Sequence, residues 1–154
     1  MSDDERTFVM IKPDAFARGI VGEVVSRLEE RGLKLVGIKV VTLSEARAKD
    51  HYAEHVDEPF FDGLIEFITS GPVVPMVWEG QDATRQVRQM IGATDPLEAA
   101  PGTIRGDYAL DLGRNVVHAA DHEEPGANER EIAIHFDADE LIDYSHHDDE
   151  WLYE

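Results

Sequence analysis

The spacing of apolar residues in this chain switches between a period of two and a period near 3.6, and that alternation limits the available folds more than any other feature. Residues 7–12 alternate, with Phe8 and Met10 on one side and Val9 and Ile11 on the other, and Pro13 stops the run, so they read as a strand. Over residues 20–31, Val21, Val24, Val25 and Leu28 fall at helical spacing, and Gly32 supplies a C-terminal cap. Residues 34–43 alternate again and form a second strand. Ser44, with Arg47 where a complete capping box would have Glu, caps a helix to about His55. Pro59 opens another helix, with Phe60, Leu64, Phe67 and Ile68 on one face, ending near residues 70–71. A third strand is expected at 73–78, a helix capped by Asp82 at 82–91, a short strand at 115–118 and a last helix at 129–136.

This order fits an α+β fold, a ferredoxin-like βαββαβ sandwich with an antiparallel sheet and added helices. Residues 92–114 break the pattern, punctuated by Pro96, Pro101, Gly102, Gly106 and Gly113. A long irregular loop inside a compact domain is usually functional, which makes it the first place to look for a site. The 154 residues suit one domain spanning 1–154.

Thirty-three acidic residues against 14 Lys plus Arg leave a net charge of -19, which repels nucleic-acid backbones and anionic membrane surfaces and counts against both as partners. The cations are 10 Arg and only four Lys (Lys12, Lys34, Lys39 and Lys49), so the mobile, strongly hydrated type has been reduced. Acidic clusters at residues 3–5, 123–124 and 148–150 read as solvated surface. Together these features point to a protein adapted to high salt, which screens such charges. Hydrophobic residues, 42% of the chain, are enough for a core. The absence of cysteine removes disulfides, thiolate metal sites and a Cys nucleophile. No apolar run approaches the roughly 18 residues that span a bilayer, and the first ten residues are acidic where a signal peptide is basic. The expected compartment is the cytoplasm.

Among local patterns, His51-Tyr52-Ala53-Glu54-His55 fits H-x-x-E-H, which on a helix sets two imidazoles on one face for zinc. Three fixed positions are too few to carry that reading, and the plainer one is a solvent-facing helix end. His146 and His147 lie in a charged tail. A glycine-rich phosphate loop is absent, so any phosphate must be held by side-chain cations. In so acidic a chain Lys12, Arg88, Arg105 and Arg114 stand out, and with His118 they would form a polyphosphate cleft around an imidazole. His118 itself could be a satisfied polar group, a general acid–base or a nucleophile, and its local pattern does not separate these.

Longer blocks go further. Residues 5–14 (Glu-Arg-Thr-Phe-Val-Met-Ile-Lys-Pro-Asp), Tyr52 with residues 59–64 (Pro-Phe-Phe-Asp-Gly-Leu), residues 70–74 and 76–80, residues 101–107 (Pro-Gly-Thr-Ile-Arg-Gly-Asp), residues 115–118 (Asn-Val-Val-His) with Asp121, and the closing Trp-Leu-Tyr-Glu resemble nucleoside diphosphate kinases over essentially the whole chain. The resemblance implies transfer of a γ-phosphate from a nucleoside triphosphate to a nucleoside diphosphate, by a ping-pong route through phosphorylated His118. It implies that Lys12, Arg88, Thr94, Arg105 and Asn115 contact phosphates or ribose, that Phe60 stacks on the base, and that Tyr52 sits beside His118 and the transferring phosphate. It implies a Glu bonded to the far nitrogen of the catalytic imidazole. The segment at 122–128 is about two residues longer than usual, which assigns that role to Glu131, or to Glu129 if the loop is drawn differently. Mg²⁺ would arrive on the nucleotide, with no protein ligand set of its own, and the subunits would form a homo-oligomer, most often a hexamer.

Two positions depart from the pattern: Ala119 and Ala120 stand where the family usually has Gly and Ser. Losing the Ser hydroxyl removes a hydrogen bond worth about 0.5–1.5 kcal/mol, which slows an enzyme without abolishing it. Ala119 is tolerated if its φ is negative. An inactive nucleotide-binding module on the same fold is the reading of a different class.

Overall fold

Successive side chains of a strand point to opposite faces of its sheet, so a strand that is buried at every position must be covered on both sides. In β1 (Asp4–Ile11) every residue from Phe8 to Ile11 is wholly inaccessible in the computed structural model, which describes residues 4–154. β1 lies inside a four-stranded sheet with β2 (Lys34–Ile38), β3 (Val74–Gln81) and β4 (Val117–Ala119), in the order β2-β3-β1-β4. All three pairings are antiparallel, and the register sets Met10 opposite His118 and Val9 opposite both Met76 and Ala119. This is the ferredoxin-like arrangement expected from the element order.

Odd-numbered residues of β1 face one core. Val9 and Ile11 join Val74, Met76 and Trp78 beneath α2 (Val21–Glu30), α5 (Ala83–Ile91) and α6 (Ile104–Tyr108), whose Val24, Leu28, Val87, Ile91 and Ile104 are fully buried. Even-numbered residues face the other. Phe8 and Met10, with Val36 and Val77, pack against α3 (Glu45–His51), α4 (Phe61–Ile68) and α7 (Ala127–His135). Each fully buried large apolar side chain contributes about 1.5–3 kcal/mol. The short α1 (Pro13–Ala17) starts on the proline that stops β1, where a missing N–H costs nothing. The chain ends in α8 (Asp149–Leu152), and Tyr153 receives a hydrogen bond from Gln81 N at 3.0 Å.

Several boundaries differ from the sequence expectation. β2 ends at Ile38 instead of residue 43: its pairing with β3 shifts between Leu35 and Gly37, continues through Ile38 opposite Met76, and is followed by the isolated bridge Val41–Val73. Leu141 and Phe136 fill the space beside Gly37 that a side chain would need. Ser44 does cap α3, accepting from Arg47 N at 3.1 Å, but the helix ends at His51 and a separate 3₁₀ turn spans Ala53–His55. Asp82 precedes α5 in a left-handed conformation (φ 52°) and makes no capping bond; Glu5 accepts from Thr84 N at 2.8 Å instead. α7 begins at Ala127, two residues early. The irregular stretch contains α6, capped by Thr103, whose hydroxyl accepts from Gly106 N at 3.0 Å.

Surface chemistry follows the composition. Lys12 and Lys34 are buried and Lys39 pairs with Glu140, which leaves Lys49, paired with Glu45, as the well-exposed lysine. Glu123 and residues 148–150 are exposed, while residue 3 of the first acidic cluster lies outside the described residues. Among the described residues no helix is long and apolar enough to cross a membrane.

Candidate active site

The approach to β4 is strained. Val116 has φ 77°, a left-handed conformation that costs a β-branched residue on the order of 1–3 kcal/mol. Bonds on both sides hold it there: Val116 N donates to Asp14 Oδ2 at 3.0 Å, and Val116 O accepts from Lys12 N at 2.9 Å. The turn delivers Asn115 and His118 to a common cleft of about 410 Å³. Ala119 has no positive φ, so its methyl is accommodated, and Ala120 is fully buried.

His118 lies on the even-numbered face. Its Nε2 is 2.5 Å from Glu131 Oε1, and Glu131 is buried. A hydrogen on Nε2 shared with the carboxylate leaves Nδ1 with a free lone pair. Burial, then the cations Lys12, Arg105, Arg88 and Arg130, push the His118 imidazolium down to about 3. Burial raises Glu131 to about 7, with Asp121 adding to the rise while Arg130 and Arg88 oppose it. Burial and the surrounding cations therefore keep the His118 imidazole uncharged at neutral pH, with a lone pair to offer. Among the described residues Glu131, and not Glu129, meets His118; Glu129 is exposed.

Cations crowd the cleft. Lys12 Nζ donates to Asn115 Oδ1 at 2.9 Å, and Asn115 Nδ2 donates to Thr94 O at 3.1 Å. Burial lowers Lys12 to about 8, with Asp14 opposing and Arg105 and Arg114 assisting. Arg105 is almost wholly buried and braces the backbone beneath His118, donating to Asn115 O, Gly92 O and Val117 O. Burial and the nearby Arg88 lower it to about 10. Arg88 donates to Ala119 O at 3.2 Å. Like charges held this closely prepare the cleft for an anion.

The remaining expected residues divide. Tyr52 is buried on the cleft wall, its ring 6.5 Å from that of His118, and burial raises its phenol above the usual range. Thr94 lines the cleft. Phe60 is 53% exposed beside His55, a cleft residue, at 5.5 Å between rings. Arg114 is not part of the lining; its guanidinium stacks on Phe67 at 4.0 Å.

The zinc-like pattern fails on geometry, because α3 stops at His51 and the two imidazoles do not share a helix face. The solvent-facing reading needs correction as well. His55 is half-exposed, but His51 is buried against His118, with ring centroids 4.6 Å apart. Nitrogens of His51 and His118 and a Glu131 oxygen lie within 4.8 Å of one another. A dication there would face the field of the four cations around His118 and would break the His118–Glu131 bond, so the set suits a proton better than a metal. Sequence reasoning missed His51 and His135 as members of this interior. The missed signal was spacing: Ala127, Glu131 and His135 recur every four residues and form the buried side of α7. A larger hollow of about 650 Å³, beside Ile132, Phe136 and Leu141, contains neither His118 nor its cations.

The chain is similar to known proteins along most of its length. Residues 5–141 match the family model for nucleoside diphosphate kinase. The chain is 65% identical over 154 residues to a nucleoside diphosphate kinase of Haloarcula marismortui, covering all of both chains. A halophilic nucleoside diphosphate kinase from Halobacterium salinarum, solved in complex with CDP, superposes with a TM-score of 0.96 at 64% identity, over 98% of this chain and 99% of that one. A nucleoside diphosphate kinase family protein from Babesia bovis superposes at 0.92 with 40% identity, over 97% and 99%. The family match over residues 5–141, with a sequence and a fold shared along their length with these proteins, places the chain in the nucleoside diphosphate kinase family, enzymes that pass phosphate between nucleoside tri- and diphosphates.

Proposed function

We propose that the chain works by a ping-pong route in which His118 carries the phosphate. The observation that supports this most is the 2.5 Å approach of Glu131 to His118 Nε2, which ties up one ring nitrogen and leaves the other as a nucleophile. The Nδ1 lone pair attacks the γ-phosphorus as the bond to the β-phosphate oxygen breaks, and the nucleoside diphosphate departs with that electron pair. A β-phosphate oxygen of the second diphosphate then attacks the phosphohistidine, and the P–N electrons return to Nδ1. Glu131 steadies the positive charge on the phosphorylated ring through Nε2–H.

Such a transfer needs positioning and charge neutralisation more than covalent machinery. Lys12, Arg88 and Arg105 supply the charge, and Thr94 and Asn115 add hydrogen bonds to phosphate or ribose. Tyr52 packs beside the reacting ring. Phe60 stacks on the base, which gives affinity with little base preference because every base has a π-face. Mg²⁺ would arrive as part of the substrate with several of its waters and would offset part of the phosphate charge. Asp121 and Glu124, on the cleft wall, would hold that water shell. The nucleotide seen in the Halobacterium relative supports a nucleoside phosphate as ligand here. The protein acts as one domain over 1–154 in the cytoplasm, as a homo-oligomer with hexamer the favoured state. Acidic subunits repel, so light scattering should show assembly weakening in low salt, and one mass from low to molar salt would count against that reading.

His118→Ala, assayed for phosphate transfer from ATP to GDP, is the experiment that decides. Loss of transfer in a folded protein supports the route. Wild-type activity in that variant would remove it.

A further inference from the structure

Behind the catalytic imidazole lie two more, one behind the other. His135, 1% exposed, stacks on Phe8 with ring centroids 4.8 Å apart and planes 13° apart. Its Nε2 is 2.9 Å from His51 Nδ1. His51, 2% exposed, meets His118 at 4.6 Å with the rings 77° apart, an edge-to-face contact. His51 O also accepts from Arg130 at 3.4 Å, which fastens α3 to α7 beside Glu131. The three rings thus form a continuous column from the helix interior to the reacting nitrogen.

One detail fixes the hydrogens in that column. Among the described residues, His135 Nδ1 is buried with no hydrogen-bond partner. A neutral imidazole carries one N–H, and an orphaned buried N–H costs more than an orphaned lone pair. The hydrogen of His135 therefore sits on Nε2 and is donated to His51 Nδ1, which obliges His51 to carry its own hydrogen on Nε2. The opposite choice would leave a buried N–H of His135 without an acceptor.

We propose that His135 is a positioning residue for phosphoryl transfer: by donating to His51 Nδ1 it locks the His51 ring, which in turn restrains the His118 ring edge-to-face in its attacking orientation. Glu131 holds His118 by one nitrogen alone, a bond about which the ring can still tilt; the His51 wall removes that freedom. Attack geometry is sensitive to small misplacement, so the lock acts on the rate of phosphorylation and not on nucleotide affinity. The inference rests on His118 as the phosphate carrier.

Two measurements test it. Nitrogen–proton correlation spectra of ¹⁵N-histidine-labelled wild-type protein read the tautomers without any substitution. The expected spectrum shows His135 and His51 both protonated at Nε2, with Nδ1 bare; a hydrogen on His51 Nδ1 overturns the proposal. Rapid-quench phosphorylation by ATP then compares His135→Phe, which keeps the stacking ring without a donor, with His135→Gln, whose amide can donate from a similar position. Phosphorylation of His118 should slow about three- to tenfold in the Phe variant, the scale of one lost hydrogen bond, with KM unchanged within about twofold, and should recover in the Gln variant. An unaffected Phe variant, or a Gln variant as slow as Phe, contradicts the lock. If the Phe variant does not fold, the wild-type tautomers and the Gln variant still decide. A wild-type protein that takes no phosphate on His118 would instead refute the carrier reading, while the tautomer spectra would still report on the column.

Discussion

Val9 and Ile11 point into an interior built from Val74, Met76, Trp78, Val87 and Ile91, whereas Phe8 and Met10, their neighbours in β1, share theirs with the column of imidazoles and Glu131. The first interior gains stability from nearly every side chain it encloses. The second encloses ionisable groups, each of which costs free energy on leaving water unless it is paired or held neutral. The pairing is visible: Glu131 with His118, His135 with His51, and Asn128 bonded to Thr7, Phe8 N and Thr84, which anchors α7 on β1. The candidate site is thus part of the second core and not an addition to the surface, and the apolar face offsets its cost.

The contrast can be broken most severely from the apolar side. Trp78→Ala should destabilise the fold by about 3–5 kcal/mol, the usual cost of emptying a large buried aromatic site, while the surviving folded fraction keeps its KM. Denaturant titration checks the first part and steady-state kinetics the second. On the polar side the order of effects reverses. Glu131→Gln keeps the shape and removes the charge that steadies the phosphorylated ring, so kcat should fall about ten- to a hundredfold, the scale of a charged hydrogen bond. A melting temperature near that of the wild type would place the loss in chemistry.

Acid should sharpen the difference further. Burial holds His51, His118 and His135 below their usual range, the last two at about 3, so the unfolded chain binds protons that the folded one refuses as pH falls below about 6.5. Stability contributed by these neutral rings is present above that pH and is lost progressively toward acid. Glu131 has the opposite sign: raised to about 7, it favours the fold at low pH and gives that up as pH rises from about 4.5 to 7. His135→Gln should flatten the acid limb of stability against pH by at most about 1.4 kcal/mol per pH unit. Urea unfolding between pH 4 and 7 measures it.

The smallest effect per group lies outside both interiors. Exposed pairs such as Glu45–Lys49 contribute about 0–1 kcal/mol each, while a net charge of -19 repels itself across the whole surface. Melting temperature should therefore rise with KCl from low to molar concentration. A flat or falling curve would mean that the acidic surface does not strain the fold.

The fold was largely legible because its signal is periodic and local. The alternation at Phe8, Val9, Met10 and Ile11, with apolar residues on both sides, marked β1 as a strand, and the structure covers both of its faces. What escaped depended on distant contacts. The end of β2 at Ile38 depends on its pairing with β3, distant in sequence, which no local pattern reports. Asp82 has the composition of a cap, but Glu5, far away in sequence, bonds the N–H group. In the candidate site, Lys12, Arg88, Arg105 and His118 stood out as cations and an imidazole in an acidic chain, and the structure gathers them in one cleft. Arg114 stood out equally, yet its partner is Phe67. His51 was misplaced on the surface because its burial depends on His135, a residue 84 positions away.

The account turns on His118 as a covalent carrier, and one measurement bears on it directly. Purified protein is incubated with ATP labelled on the γ-phosphate in the absence of a diphosphate acceptor, then quenched in base and in acid. The account predicts about one labelled phosphate per subunit, stable in base, lost in acid, mapped to His118 and discharged when GDP is added. Transfer from ATP to GDP by a protein that never acquires an acid-labile phosphate would contradict it.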